Sequence, residues 1–396
     1  MERLKIGIDK IGFYTPPFYV DMADLAQARD TDPAKYQIGL GQDQMAVAPI
    51  SQDTVTMAVN AANQILTDQD RQDIDFVIVG TETGIDQSKA SAVYVHDLLN
   101  INPYARAIEM KEACYGATVG LQTAVDHIAR RPDRKALVIA SDIARYGLNT
   151  SGEPTQGAGA VAILVSANPR IAAVSPTASY YTGDIMDFWR PNYSKTAQVD
   201  GHYSTKMYLD YLTHVWEDYK EQTGMSVADL AAVCLHLPYG KMGEKGLRRL
   251  TKEADKPHKQ DLKAKFVDAR AYNRQVGNVY TASLYLSLIS LLEHNQDLAP
   301  GDLVGMYSYG SGAVGEFFTL ELMAGYRDCL NVDDHQMMLD QRQRLTVPEY
   351  EAMFTDQVPE DGGDHHFHQA GDHSPCQLVG IKDHMRCYQM ANQSRH

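Results

Sequence analysis

Four segments of this chain recur, in the same order, about 160 residues further along. Asp75-Phe-Val-Ile-Val is echoed by Asp229-Leu-Ala-Ala-Val-Cys-Leu, and Cys114-Tyr-Gly-Ala-Thr-Val-Gly-Leu by Gly277-Asn-Val-Tyr-Thr-Ala-Ser-Leu. Leu137-Val-Ile-Ala-Ser is echoed by Leu303-Val-Gly-Met-Tyr-Ser, and Gly159-Ala-Val-Ala-Ile-Leu by Gly312-Ala-Val-Gly-Glu-Phe. A period this long is no solenoid unit; it is the length of a duplicated domain. The repeat divides the chain into halves at 1–170 and 171–396. A duplicated fold of this kind sets its site between the halves, where strand ends and helix starts converge.

The content of each half narrows the fold class. Phe76–Gly80, Ala136–Ser141 and Ala158–Val165 are short apolar runs of the kind that form buried strands. Helical periodicity runs near Thr54–Leu66, Ser88–Leu99, Ala117–Ala129 and Tyr208–Gln222. Strands alternating with helices predict an α/β fold with a mainly parallel sheet. Ile171–Gly201, rich in Tyr, Thr, Ser, Pro and Asp, reads as a loop-rich connection between the halves. Lys252–Lys263 reads as a charged, exposed stretch. Asp361–His373 reads as a mobile loop before a last strand around Cys376–Tyr388.

Composition removes several function classes. The 396 residues are 44% hydrophobic and 22% charged, an ordinary globular balance. A net charge of −15 without a basic run disfavours nucleic acid as a partner. Five cysteines with no close pairing fit a reducing cytoplasm better than a disulfide framework, and no CxxC pair suggests zinc. His365, His366, His368 and His373 sit among Gly and Asp with no helical register to hold a metal. The first residues run into a strand pattern with no apolar core of a signal peptide, and no apolar stretch approaches a membrane span. Neither a GxGxxG fingerprint nor a P-loop points to a nucleotide cofactor.

The chemistry-bearing residues lie at element ends. Cys114 precedes small residues and a helical pattern, which places its thiol at a helix N-terminus. There the partial positive charge is expected to lower the sulfur's pKa and suit it to carry an acyl group as a thioester. A buried structural cysteine fits the same segment. Glu82, in Gly80-Thr-Glu-Thr-Gly84, follows a buried strand, where apolar walls would raise its pKa toward that of a general acid/base. A carboxylate serving a helix dipole is the plainer reading. His236, in Leu235-His-Leu-Pro-Tyr-Gly-Lys-Met242, occupies the corresponding place in the second half. It could polarise a carbonyl, exchange a proton or be structural. Asn278 is a good helix cap whose amide could instead aim at a substrate oxygen or at His236. Ser308-Tyr-Gly-Ser-Gly-Ala313 is a Gly-rich turn whose N–H groups could form an oxyanion hole.

Taken together, these motifs resemble the 3-hydroxy-3-methylglutaryl-CoA synthases of the bacterial mevalonate pathway, within the thiolase superfamily. The resemblance rests on Thr-Glu-Thr-Gly around Glu82, Glu-Ala-Cys-Tyr-Gly-Ala around Cys114, His-Leu-Pro-Tyr-Gly-Lys-Met around His236 and Gly277-Asn-Val-Tyr-Thr-Ala. It also rests on Ser141-Asp-Ile-Ala-Arg-Tyr-Gly147, Gln156-Gly-Ala-Gly-Ala-Val161, Asp187-Phe-Trp-Arg-Pro191, Val199-Asp-Gly-His-Tyr-Ser204 and Tyr309-Gly-Ser-Gly312, and it covers essentially the whole chain. It implies a duplicated five-layered αβαβα thiolase-like fold, a cytoplasmic homodimer, and no metal or organic cofactor. It implies condensation of acetyl-CoA with acetoacetyl-CoA and water to give HMG-CoA and CoA. Cys114 would carry the acetyl group, Glu82 would act as base and acid, and His236 would hold the acetoacetyl-CoA ketone. Tyr146, Thr155, Ser204, Lys241, Asn278 and Ser311 would bind substrate, with the Cys114 and Ser311 N–H groups on the acetyl oxygen. Two other readings share parts of this pattern. One is an initiating-type ketoacyl synthase. The other is an inactive thiolase-fold scaffold that binds acyl-CoA.

Overall fold

Nine strands form one hydrogen-bonded series. They are β1 (Ile6–Tyr14), β2 (Ile74–Gly80), β3 (Arg106–Met110), β4 (Lys135–Ala144), β5 (Gly157–Ala167), β6 (Ala172–Thr182), β7 (Ala232–Leu235), β8 (Leu303–Gly310) and β9 (Val314–Leu322). The computed structural model describes residues 4–194 and 196–391. Strand order is β7-β8-β9-β6-β1-β5-β4-β2-β3. The series is two copies of one pattern, back to back. In the first half β2 and β4 pair parallel, β4 and β5 antiparallel, β5 and β1 antiparallel. In the second, β7 and β8 pair parallel, β8 and β9 antiparallel, β9 and β6 antiparallel. Within the sheet the two copies are joined where β1 and β6 pair Gly7 with Ala173 and Ile8 with Ala172.

Two expectations fail here. The sheet is mixed, with five of its eight pairings antiparallel, rather than mainly parallel. The link from β8 to β9, Ser311 to Ala313, is too short to carry a chain back for a parallel crossover. Ile171–Gly201 is not all loop, because its first part is β6, the counterpart of β1. Ser175, Pro176 and the alternation of polar residues hid that strand, and Pro176 falls near a register shift opposite Phe318 and Leu320.

Helices complete the layers. On the outer face of the first half lie α1 (Thr54–Ile65) and α2 (Ser91–Leu98). On the outer face of the second lie α4 (Gly201–Thr223) and α5 (Gly240–Leu250). Between the halves run α3 (Gly116–Arg130) and α7 (Ser283–His294), with α6 (Lys256–Ala269) alongside α7. Every residue of α7 from Ser283 to Glu293 is buried, as a helix walled in on all sides must be. This gives the five layers implied by the family resemblance. Polar contacts also cross the middle layer. Thr281 Oγ1 accepts from the Ala117 N–H at 2.8 Å, and Thr118 meets Tyr285 at 2.9 Å and Ser308 at 2.8 Å.

The end of the chain returns to the first half. The expected last strand is a hairpin, Cys376–Lys382 paired with Met385–Met390, turning at Asp383 and His384, both at positive φ. His365–His366 adds a short third strand, and Asp372 is buried against Ser51 and Gln52, so the His-rich stretch is tied to the body at both ends. Lys252–Lys263 is largely exposed as expected, although most of it is the start of α6. Among the described residues, no helix is long and apolar enough to cross a membrane.

Candidate active site

Two glycines bring the Glu82, Cys114 and Ser311 loops together. A Cβ on Gly80, at the end of β2, would lie 2.4 Å from the Ala117 nitrogen, so only glycine lets β2 abut the start of α3. A Cβ on Gly310, at the end of β8, would lie 2.7 Å from Tyr115 Cβ, so the turn carrying Ser311 presses on the Cys114 loop. Glu82 therefore leaves the first half beside Cys114, and Ser311 arrives from the second. Cys114 Sγ approaches Glu82 Oε1 to 3.4 Å. Ala113, just before the thiol, takes φ of 40°, a left-handed conformation that costs a non-glycine residue free energy and re-aims the chain into the site.

A buried carboxylate holds the Glu82 loop. Asp142 Oδ1 accepts from Thr81 Oγ1 (2.8 Å), Thr83 Oγ1 (2.7 Å) and the N–H groups of Glu82 (2.9 Å) and Thr83 (3.1 Å). Its Oδ2 accepts from the Thr281 N–H of the second half at 3.2 Å. Asp187 does similar work opposite, accepting from Ser204 Oγ (3.0 Å), Tyr309 OH (2.8 Å) and the Gly312 N–H (2.9 Å). Both acids lie in motifs that carry the family resemblance, yet neither motif by itself assigns them a role. The available signal was Asp142's place after an apolar run, the same signal that singled out Glu82.

Electrostatics corrects one expectation and supports another. Burial, followed by the charges of Glu82 and Asp142, pushes the Cys114 thiol well above the usual range. The helix N-terminus does not lower it, because Cys114 precedes Gly116–Arg130 by two residues and sits among acids in a desolvated pocket. The thiol therefore rests protonated, with Glu82 as the adjacent acceptor. The Glu82 carboxyl itself is raised, first by burial and then by Asp142, with Arg190 opposing. His236 follows β7 and is buried. Burial lowers it to about 3, so the ring is neutral at physiological pH. Its backbone is fixed by Tyr307 (2.8 Å) and Tyr208 (2.9 Å), while Nδ1 has no hydrogen-bond partner among the described residues.

The other expected residues separate into two groups. Asn278 caps the turn before α7, accepting from the Tyr280 N–H at 2.9 Å and Ser283 Oγ at 3.0 Å. Its amide nitrogen donates to Tyr146 OH at 3.0 Å, so it serves Tyr146 and not His236. Tyr146, Phe188 and Tyr280 pack edge to face in an apolar cluster that also takes in Cys114. Thr155 supports Asn278 from behind, its carbonyl accepting the Asn278 N–H at 3.3 Å. Ser204 joins through Asp187. Lys241 stands apart on α5, paired with Glu244 at 3.0 Å, and no contact recorded among the described residues joins it to the Cys114 group.

A duplicated α/β body with a thiol and a carboxylate facing each other between its halves defines a thiolase-like acyltransferase, built to hold an acyl group on sulfur beside an acid/base. Comparison with known proteins carries this further. Residues 3–170 match the model of the hydroxymethylglutaryl-coenzyme A synthase N-terminal domain, and residues 251–372 that of the C-terminal domain. The chain is 52% identical to the hydroxymethylglutaryl-CoA synthase of Enterococcus faecalis, over 90% of this chain and 94% of that one. It is 32% identical to the polyketide biosynthesis 3-hydroxy-3-methylglutaryl-ACP synthase PksG of Bacillus subtilis, over 88% of this chain and 87% of that one. Among solved structures, an HMG-CoA synthase complexed with CoA superimposes with a TM-score of 0.95 at 46% identity, covering 98% of this chain and all of that one. MvaS in complex with 3-hydroxy-3-methylglutaryl coenzyme A gives 0.88 at 37% identity, again over 98% of this chain and all of that one. The chain belongs to the hydroxymethylglutaryl-CoA synthase family.

Proposed function

We propose that the protein condenses acetyl-CoA with acetoacetyl-CoA and water to give HMG-CoA and CoA, as the hydroxymethylglutaryl-CoA synthase of the mevalonate route to isoprenoids. The observation that carries the reading is the 3.4 Å approach of Cys114 Sγ to Glu82 Oε1 in a chain of this family. The Cys114 thiol gives its proton to Glu82 and attacks the acetyl carbonyl. A sulfur–carbon bond forms, and CoA leaves as its thiolate and takes up the proton. Glu82 then removes a proton from the acetyl methyl group. The N–H groups of Cys114 and Ser311 hold the enolate oxygen. The carbanion adds to the ketone carbon of acetoacetyl-CoA, Glu82 returns its proton to the new alkoxide, and His236 hydrogen-bonds that oxygen. Water cleaves the Cys114 thioester and regenerates the thiol.

Atoms balance with water as the only further reactant and no electron is lost or gained, so the reading invokes no metal or organic cofactor. Tyr146, Thr155, Asn278 and Ser204 shape the acyl pocket, and Lys241 is assigned to the CoA arm. In this reading residues 1–170 contribute nucleophile and base, and residues 171–396 contribute His236, Asn278 and Ser311. The enzyme is assigned to the cytoplasm as a homodimer. In support of the dimer, β3 ends the sheet with Ile108 exposed, an edge that a second copy can extend. The test follows acetoacetyl-CoA consumption on adding acetyl-CoA, with intact-mass detection of acetyl-enzyme. An acetyl group mapped to Cys234, Cys329, Cys376 or Cys387 would overturn the role of Cys114.

A further inference from the structure

We propose that Arg190 is the positioning residue for Glu82, gripping its side chain and its backbone together so that the carboxylate is aimed and kept ionisable for condensation. The inference rests on Glu82 being the base. Arg190 Nη2 lies 3.6 Å from Glu82 Oε2, and the same nitrogen donates to the Glu82 carbonyl oxygen. Both partners are withdrawn from water, with side chains 18% and 6% exposed, so the pair is only weakly screened.

The surroundings make this cation matter. Among the described residues, Glu82 faces Asp142 from β4, Glu112 and Cys114 from the loop before α3, and the phenols of Tyr146 and Tyr280. Two of these are acids and none is a cation, so burial and like charge both favour a protonated Glu82. A carboxyl locked in that form could not take a proton from the acetyl methyl group. Among the described residues, Arg190 is the cation paired with it. An opposite charge at this range typically lowers a carboxyl pKa by about 1–3 units.

The position of Arg190 is itself fixed. It follows Asp187 by three residues, and Asp187 is held by Tyr309, Gly312 and Ser204. Phe188–Trp189 pairs with Gln198–Val199, which stiffens the arm on both sides. Both contacts come from one nitrogen of a guanidinium held in its plane, so lysine on this arm would keep the charge but not the planar geometry that aims that nitrogen.

Difference infrared spectroscopy of the resting enzyme tests this directly. The carbonyl stretch of protonated Glu82 is assigned by its absence from Glu82→Gln, and its pH midpoint is then read in Arg190→Gln and Arg190→Lys. The midpoint is expected to rise by about 1–3 units in Arg190→Gln and by less in Arg190→Lys. Condensation on the acid limb should fall about tenfold per unit of that rise. A circular dichroism spectrum and a cooperative thermal transition like the parent's report that each variant is folded, and Arg190→Lys serves if Arg190→Gln does not fold. An unmoved midpoint in the folded variants overturns the role of Arg190 and leaves Glu82 as base. Full condensation activity in Glu82→Gln overturns the base reading instead.

Discussion

The central helices of the two halves begin in the same place and do opposite work. Cys114 lies just before α3, which begins at Gly116, and Asn278 lies in the turn before α7, which begins at Ser283. Each approach passes through a non-glycine residue at positive φ, Ala113 at 40° and Tyr280 at 45°. In the second half the polar atoms of the turn are consumed internally. Asn278 Oδ1 takes two hydrogen bonds from its own turn and its amide holds Tyr146. In the first half the thiol donates to Glu82 Oε1. Duplication thus supplied two equivalent helix starts. One is closed on itself as a rigid turn, and at the other a thiol and a carboxylate face each other.

The comparison breaks most completely at the nucleophile. Cys114→Ser should form no stable acetyl-enzyme and lose condensation by about 10⁴-fold or more, since a serine among these acids has no route to an alkoxide. Intact-mass spectrometry after mixing with acetyl-CoA checks this, and a stable adduct on the serine would show that the pocket, not the sulfur, makes this half reactive.

Glu82→Gln should reduce carbon–carbon bond formation by about 10²–10⁴ and acetylation by less, because a departing CoA thiolate can take the thiol proton but nothing else takes one from carbon. With a raised Glu82 pKa, the acid limb of condensation in the parent enzyme should lie above the ordinary carboxylate range. The sign for stability follows. The folded pKa exceeds the unfolded value, so deprotonation costs folding free energy as pH rises between the two. Glu82→Gln should therefore melt above the parent, with the gap widening toward alkaline pH. A gap that narrows there would mean Glu82 is ionised at little cost.

His236→Ala tests the second half. Loss of one donor to the developing alkoxide should cost about 3–4 kcal/mol in condensation and spare single-turnover acetylation. A collapse of acetylation would make His236 the activator of Cys114 and join the two halves in one step. The smallest effect is expected at Asn278. Asn278→Ala removes a cap and the bond to Tyr146, for about 1–2 kcal/mol of stability and a moderate loss of condensation. Denaturant melts with a pH profile separate the two, and an unchanged melt would mean the turn is not the rigid element described here.

Much of this architecture is legible in order and spacing. The strands β2, β4 and β5 and helices α1, α3 and α4 lie within a few residues of their periodic segments, and α4 only starts earlier, at Gly201. β6 was not legible, because Ser175, Pro176 and exposed Tyr180 break its apolar pattern and its identity as a strand comes from β1 and β9 on either side. At the candidate site, the positions of Glu82, Cys114 and His236 were legible because Glu82 and His236 follow apolar strands and Cys114 lies just before a helix. Asp142 and Arg190 acquire roles only from partners 60 and 108 residues away.

By itself the chain's sequence determined the local states and the cast: which runs extend, which coil, that the body is doubled, and that a thiol, a carboxylate and an imidazole stand at element ends. Hydrophobic period and chain spacing are local quantities, so they are written in order along the chain. Tertiary structure alone decided strand direction, the partner of each polar side chain and the proton on each titrating one. The helix start argues for a thiolate at Cys114, yet burial beside Glu82 and Asp142 leaves a thiol. Desolvation and charge depend on everything within a few ångströms, and in this protein those neighbours come from both halves.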